Sequence, residues 1–280
     1  MTTVMPNFLH IGPGKAGSTW VHETLSMHPQ TYLTPAKDLY FFSRFYDRGA
    51  GWYANQFKEA PAESRIIGEV CPEYLWYPLS AGRVRETLGP KVRIMVTLRD
   101  PVARAFSAYL YQQKHGVTGR SFRQALEASP DMIDIGRYHT HLQRYLREFG
   151  AEQIHLTLFD DLRSDPQAFL DEVTGWLGID RQPLSEEARR PQLPASRPRS
   201  AAMARMTKTG AVLARRHNGA ELVGRVKRSR LVQQALYVPL GDRPTIPEAE
   251  AARIREELET ELIGIESTFG ISLRSRWGWS

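Results

Sequence analysis

The sequence predicts an α/β fold, a three-layer sandwich with a central, mostly parallel sheet and helices on both faces. Three observations lead to it. β-rich apolar runs near Phe8, Ile66, Val92 and Ile154 alternate with stretches of helical period, as strand–helix units require. The Val92–Leu98 run is apolar enough to be buried on both faces, a mark of parallel strands. The first run ends at Gly12 and leads through a glycine-rich turn into a helical pattern at Val21 and Leu25. A length of 280 residues suits one domain, residues 1–280, with elaborations.

The turn after the first run reads Gly12-Pro13-Gly14-Lys15-Ala16-Gly17-Ser18-Thr19-Trp20. Strand, tight turn and helix N-terminus together capture phosphate, because glycines let the backbone approach an anion and unpaired N–H groups point at it. Lys15 adds a point charge, and Ser18 and Thr19 add hydroxyl donors. The nucleotide-triphosphatase loop places its lysine directly after the second glycine. Here Ser18 follows Gly17 and Lys15 precedes it. Next comes Thr34-Pro35-Ala36-Lys37-Asp38-Leu39-Tyr40-Phe41-Phe42. Asp38 is a candidate general base whose apolar neighbours would raise its pKa, or it pairs with Lys37 or caps a turn. Aromatic residues (Trp52, Tyr53, Tyr74, Trp76, Tyr77) either line a cleft or fill the core.

Past the Val92–Leu98 run, Asp100-Pro101 opens a helix, so Arg99 stands at the C-terminal end of a strand, where open α/β sheets bind ligands. Ser107 follows about two helical turns on. A guanidinium fork matches phosphate oxygens and a hydroxyl adds a donor; the alternative for Arg99 is an ion pair with Asp100, and for Arg104 a carboxylate on its own helix. Ile154–Leu158 reads as a further buried strand, Asp165-Pro166 starts a helix and Gly178 stops it. Pro247 opens a helix through Glu266, with Ile254, Leu258, Leu262 and Ile265 on one face and Gly270 as its stop.

The order Lys-x-Gly-Ser-Thr-Trp from Lys15 to Trp20 resembles the 5′-phosphosulfate loop of sulfotransferases that use 3′-phosphoadenosine-5′-phosphosulfate (PAPS). Arg99-Asp100-Pro101, with Arg104 and Ser107, looks like the family's 3′-phosphate element, and Phe159 to Gly178 resembles a structural passage of the same family. Lys37-Asp38-Leu39-Tyr40-Phe41-Phe42 and Gly68-Glu69-Val70-Cys71-Pro72-Glu73-Tyr74 are similar to passages of the glycan branch, which acts on heparan sulfate, rather than the cytosolic-type branch. Asp38 stands where that branch has a glutamate base, and Cys71 where it has a hydroxyl. The resemblance implies a P-loop-like fold and direct in-line transfer of a sulfuryl group from PAPS to a small-molecule or glycan hydroxyl, releasing PAP. It implies that Lys15 and the backbone of Ala16, Gly17, Ser18, Thr19 and Trp20 hold the 5′-phosphosulfate. Arg99 and Ser107 would hold the 3′-phosphate, with Arg197, Arg199 and Ser200 completing it, and Asp38 would be the base; Glu69 is next in line, sharing base duty or positioning Lys15 or Lys37. The cytosolic-type branch uses a histidine base, for which His10, His22 and His115 remain as alternatives.

The net charge of +6 fits a polyanionic nucleotide and product. Between Arg197 and Arg230 the one acidic side chain is Glu221; within a loop-and-helix elaboration over 191–245 the family resemblance implies that this basic segment completes the 3′-phosphate site or forms a lid, while its charge alone also fits an acidic acceptor, a membrane surface, nucleic acid or a solvated helix. No nucleic-acid partner is expected. No Cys/His cluster suggests zinc, and no metal is expected. No apolar run reaches the ~18 residues of a membrane span. The single cysteine and a first strand within ten residues of Met1 lead to the expectation of a cytoplasmic protein. Oligomeric state and acceptor identity are not readable. Two other classes remain open from sequence: a nucleotide kinase or ATPase, and a non-catalytic polyanion-binding protein.

Overall fold

The computed structural model describes residues 4–115, 117–118, 120–186, 188–189, 196–198, 237–239 and 244–279. Five strands form one parallel sheet: β1 (Phe8–Gly12), β2 (Thr31–Leu33), β3 (Ile66–Val70), β4 (Arg93–Leu98) and β5 (Ile154–Leu158), in the order β2-β3-β1-β4-β5. All four strands expected from sequence are present. The additional strand, β2, is a three-residue edge, too short to carry a period of its own.

Alternation along the strands divides the core into two layers. Leu9 and Ile11 of β1 and Ile94, Val96 and Leu98 of β4 face one cluster, which also holds Leu142 and Tyr145 of α7 (Tyr138–Phe149). Phe8 and Met95 face the other, with Val21 and Leu25 of α1 (Ser18–Ser26) and Phe169, Leu170 and Val173 of α9 (Pro166–Leu177). Every residue of β1 is buried, and each such aliphatic or aromatic side chain is worth about 1.5–3 kcal/mol. The sheet is therefore a middle layer between helices, as the sequence predicts.

Contacts divide the chain into two compact units. The first comprises 1–100, 137–192 and 258–280, and the second 101–136 and 193–257. The first contains the sheet, α2 (Gly49–Ala54), α3 (Ser80–Leu88) and α8 (Phe159–Ser164). Asp165 caps α9 by accepting from the N–H groups of Gln167 and Ala168 at 3.1 and 3.0 Å, and Gly178 ends it at φ +70°. In the second unit, α4 (Pro101–Lys114) and α5 (Phe122–Ala128) pack Phe106 against Phe122 at 5.1 Å between ring centres, and a capping box of Ser121 and Gln124 starts α5. Arg104 is buried there and donates to the Met132 carbonyl at the start of α6 (Asp131–Asp134). The long helix α10 runs Glu248–Phe269, with Gly270 at φ +66° after it and α11 (Leu273–Trp277) following. Ile254, Leu258, Leu262 and Ile265 are all buried. No described helix is long and apolar enough to cross a membrane.

Of the basic elaboration over 191–245, the described part is two short strands, β6 (Ser196–Pro198) and β7 (Tyr237–Pro239), paired antiparallel with Arg197 opposite Val238, together with 244–245. Arg199, Ser200 and the stretch to Arg230 lie outside the described residues.

Two consequences can be measured. A Cβ on Gly68 would lie 2.7 Å from the Phe8 carbonyl oxygen and 2.6 Å from its ring, at the pairing of β1 with β3. Gly68→Ala is expected to destabilise the protein by about 1–3 kcal/mol, read as a lower denaturation midpoint. His10 is buried on β1, its Nε2 3.0 Å from Thr97 Oγ1; burial, helped by the Lys37 charge, pushes its pKa down from 6.5 to about 3. A histidine depressed on folding contributes stability that is present above pH 6.5 and is lost as pH falls towards 3. His10→Gln is expected to flatten the decline of unfolding free energy over that window in denaturant titrations.

Candidate active site

In the order β3-β1-β4, the chain leaves β1 towards β2 and β3, then crosses to β4 on the other side. The C-terminal ends of β1 and β4 thus form the crevice where an open α/β sheet binds ligands. The turn after β1 runs Pro13–Gly17 and opens α1. Gly17 sits at φ +89°, a backbone that favours glycine, and a Cβ there would push against Leu162 Cδ2 at 2.7 Å. No side chain caps α1, and its first turn has no acidic residue. Its leading N–H groups and the positive end of its dipole point into the turn, with the Ser18 and Thr19 hydroxyls beside them.

Arg99, directly after β4, donates from Nη1 to the Lys15 carbonyl at 2.7 Å. Its guanidinium lies 4.7 Å above the Phe159 ring centre, and its own carbonyl accepts from the Tyr138 hydroxyl at 2.7 Å. Arg99 therefore closes the end of β4 onto the turn after β1, its guanidinium and its carbonyl fixed by three contacts. Ser107 lies on α4 in the second unit.

A lysine that sequence reasoning did not assign to the site completes this arrangement. Lys37 Nζ donates to Ser18 Oγ at 3.0 Å and approaches Thr19 Oγ1 at 3.4 Å, at the start of α1. It also lies 4.0 Å from Asp38 Oδ1. The structure thus brings Lys37, Asp38, Ser18 and Thr19 together. The pairing of Asp38 with Lys37, one of the sequence alternatives, is present in the same geometry that puts a cation on the turn. The signals available in sequence were its adjacency to Asp38 and its place at the head of the Lys37–Phe42 passage.

The segment that carries them is conformationally costly. Lys15, Asp38 and Tyr40 have φ of 72°, 65° and 58°, and they are the non-glycine residues in the left-handed region among those described. Each costs about 1–3 kcal/mol and persists only where its surroundings overdetermine it. For Asp38 and Tyr40 the surroundings are explicit. The Asp38 N–H donates to the Val70 carbonyl at 2.9 Å, and the Leu39 N–H donates to Glu69 Oε1 at 3.1 Å. Glu69 is fully buried on β3 and also accepts from the Tyr74 hydroxyl at 2.9 Å and the Tyr53 hydroxyl at 2.8 Å. The bond to the Glu69 carboxylate contributes about 1.5–3 kcal/mol and the one to the Val70 carbonyl about 1 kcal/mol, which offsets part of the cost of the two left-handed residues. Burial pushes the Glu69 carboxyl up from 4.5 to about 7; its three donors pull it back and the nearby Asp38 adds to the rise.

Leu39, Phe41 and Phe42 turn into the core, whereas the Asp38 side chain keeps 18% of its exposure. Tyr53 and Tyr74 are core residues that hold Glu69 rather than cleft residues. Cys71 is buried too; its N–H donates to the His10 carbonyl at 3.0 Å, and burial next to Glu69 and Asp38 pushes its thiol pKa up. His22 Nε2 lies 2.9 Å from the Thr34 carbonyl, and His115 Nδ1 2.8 Å from that of Tyr111. Among the described residues no group of three or more His, Cys, Asp or Glu side chains is placed to hold a metal ion.

The geometry agrees with comparisons to known proteins. Residues 6–219 match the family model described as a sulfotransferase domain. The human bifunctional heparan sulfate N-deacetylase/N-sulfotransferase 2 is 30% identical over 196 residues, 62% of this chain and 22% of that protein. The membrane-associated sulfotransferase kil1 of Dictyostelium discoideum is 32% identical over 138 residues, 46% of this chain and 29% of its own. The chain thus spans between a fifth and a third of the length of these curated relatives. A solved sulfotransferase from Alicyclobacillus acidocaldarius superposes with a TM-score of 0.61 at 26% identity, covering 79% of this chain and 96% of that one. With its parallel sheet and a family match over most of its length, this chain belongs to the sulfotransferase family.

Proposed function

We propose that the chain transfers a sulfuryl group from PAPS to a glycan hydroxyl by direct in-line displacement, releasing PAP. One observation carries the reading: the Lys37 ammonium sits at the hydroxyls of an uncapped helix N-terminus, with the Asp38 carboxylate beside it. A cation and aligned N–H groups at one point, with a base at its side, is what transfer to a hydroxyl from an anionic donor needs. Bound PAPS would supply the sulfuryl group. Lys15, Lys37 and the backbone of Ala16 to Trp20 would hold the 5′-phosphosulfate and stabilise the charge left on the phosphate oxygen when its bond to sulfur breaks. Asp38 would take the acceptor's proton as the new oxygen–sulfur bond forms. Arg99 would bind the 3′-phosphate that separates PAPS from ATP. The reading calls for no metal. The name N-sulfotransferase on the human relative favours a second acceptor class, the amine of an amino sugar. It requires the same donor side.

Calorimetry with PAP, ADP and ATP, each with and without Mg²⁺, tests the donor site. Metal-independent binding of PAP in preference to both others is expected; preference for ATP with Mg²⁺ would overturn the proposal in favour of a kinase. Transfer from labelled PAPS to a desulfated glycan and to its amine-bearing counterpart then separates the two acceptor classes.

Lys15→Ala and Lys37→Ala are each expected to lower kcat by about 10²–10³-fold, as the loss of a charge-stabilising donor does. Asp38→Asn is expected to lower kcat by about 10²–10⁴-fold with PAP affinity kept. Unchanged turnover in that variant would remove Asp38 from the reaction. Arg99→Ala is expected to weaken PAP more than 5′-AMP; equal weakening would restrict Arg99 to its hold on the Lys15 carbonyl.

A further inference from the structure

We infer that Glu69 is a positioning residue for sulfuryl transfer: its buried carboxylate, held by two tyrosine hydroxyls, grips the Leu39 N–H and so fixes the turn that presents Lys37 and Asp38. The inference deepens the sulfotransferase reading and rests on it. Leu39 stands between two left-handed residues, Asp38 and Tyr40. Its N–H is the point at which β3 holds the middle of that turn, at 3.1 Å from Glu69 Oε1. The turn is thus fastened on both sides of Asp38: by the Asp38 N–H on the Val70 carbonyl, and by Leu39 on Glu69.

Glu69 has no exposed surface, so it acts on the reaction through the turn and not on an acceptor. This separates it from the base role that sequence left open. Both of its oxygens are engaged: Oε1 accepts from Leu39 and Tyr74, and Oε2 from Tyr53. Tyr74 is held in turn, because its carbonyl accepts from the buried Tyr145 hydroxyl at 2.8 Å. A chain of buried donors therefore runs from α7 through Tyr74 and Glu69 to the turn.

Among the described residues, the titratable groups that face the carboxyl are Tyr53 from α2, Tyr74 and Cys71 from the segment after β3, and Asp38 from the turn. Burial pushes both tyrosines and the thiol well up, so they remain neutral donors through neutral pH. Only the ionised carboxylate accepts all three hydrogen bonds without giving up an oxygen to its own proton. The grip on the turn therefore weakens as pH falls through the neighbourhood of 7.

The test is steady-state transfer from PAPS, with PAP calorimetry and thermal melting, on the full chain and on Glu69→Gln. The amide is nearly isosteric but carries no charge. A turn displaced by a fraction of an ångström is expected to cost kcat of order 10²-fold, with KM and PAP affinity within about threefold of wild type. The inflection in kcat near pH 7 is expected to vanish. Should Glu69→Gln fail to fold, Tyr53→Phe removes one donor and leaves the carboxyl in place. Donors favour the ionised form, so its inflection is expected to move to higher pH. Full kcat with an unaltered pH profile in these variants would overturn the positioning role alone. So would lost stability with unchanged turnover per folded molecule. A wild-type chain that neither binds PAP nor transfers would overturn the sulfotransferase reading, and this inference with it.

Discussion

The parallel hydrogen bonding of β1 between β3 and β4 is the constraint on which the site depends. A strand paired on both edges and buried on both faces has no freedom to move, so the turn at its end inherits a fixed origin. Because the neighbours run parallel, the turn after β1, the segment after β3 and Arg99 after β4 all emerge at the same edge of the sheet. Three stretches remote in sequence then need only short hydrogen bonds to become one structure: Arg99 to the Lys15 carbonyl, Cys71 to the His10 carbonyl, and Asp38 to the Val70 carbonyl.

What this rigidity supports is strain in a useful place. The described non-glycine residues with left-handed backbones are Lys15, Asp38 and Tyr40, two of them candidates for the chemistry and the third a neighbour. Such conformations disappear unless their alternatives are worse. Here the alternative is a buried Glu69 that loses one of its three donors, which opposes release of the turn. The polar interior under the site is thus a fastening. His10, kept neutral by burial with the Lys37 charge adding to the effect, belongs to the same layer.

Much of this was legible in the sequence, for local reasons. The strand at Phe8, the glycine turn, the Asp165-Pro166 start and Gly178 stop of α9, and the long helix beginning after Pro247 each follow from residues within a few positions of one another. Arg99 at the end of β4 was legible because a β-rich run followed by Asp-Pro fixes where the strand must stop. β2 was not, because three residues at a sheet edge carry no pattern. Arg104 was not either: nothing in its helix suggests that its charge is buried on the Met132 carbonyl. The aromatics after Trp52 divided, with Tyr53 and Tyr74 in the core, because alternation tells which residues share a face and not what covers that face.

By itself the sequence determined the fold class, the position of the glycine turn between β1 and α1, and the family to which the motifs belong. These rest on backbone preferences and spacing, which act locally. The tertiary structure alone decided that Lys37 reaches the start of α1, that Arg99 spends one of its donors on the Lys15 carbonyl, and that Glu69 holds the Asp38 turn from below. Each of these joins residues on different strands or on the turns that follow them. Whether such residues meet is set by strand order and register, which no single segment encodes.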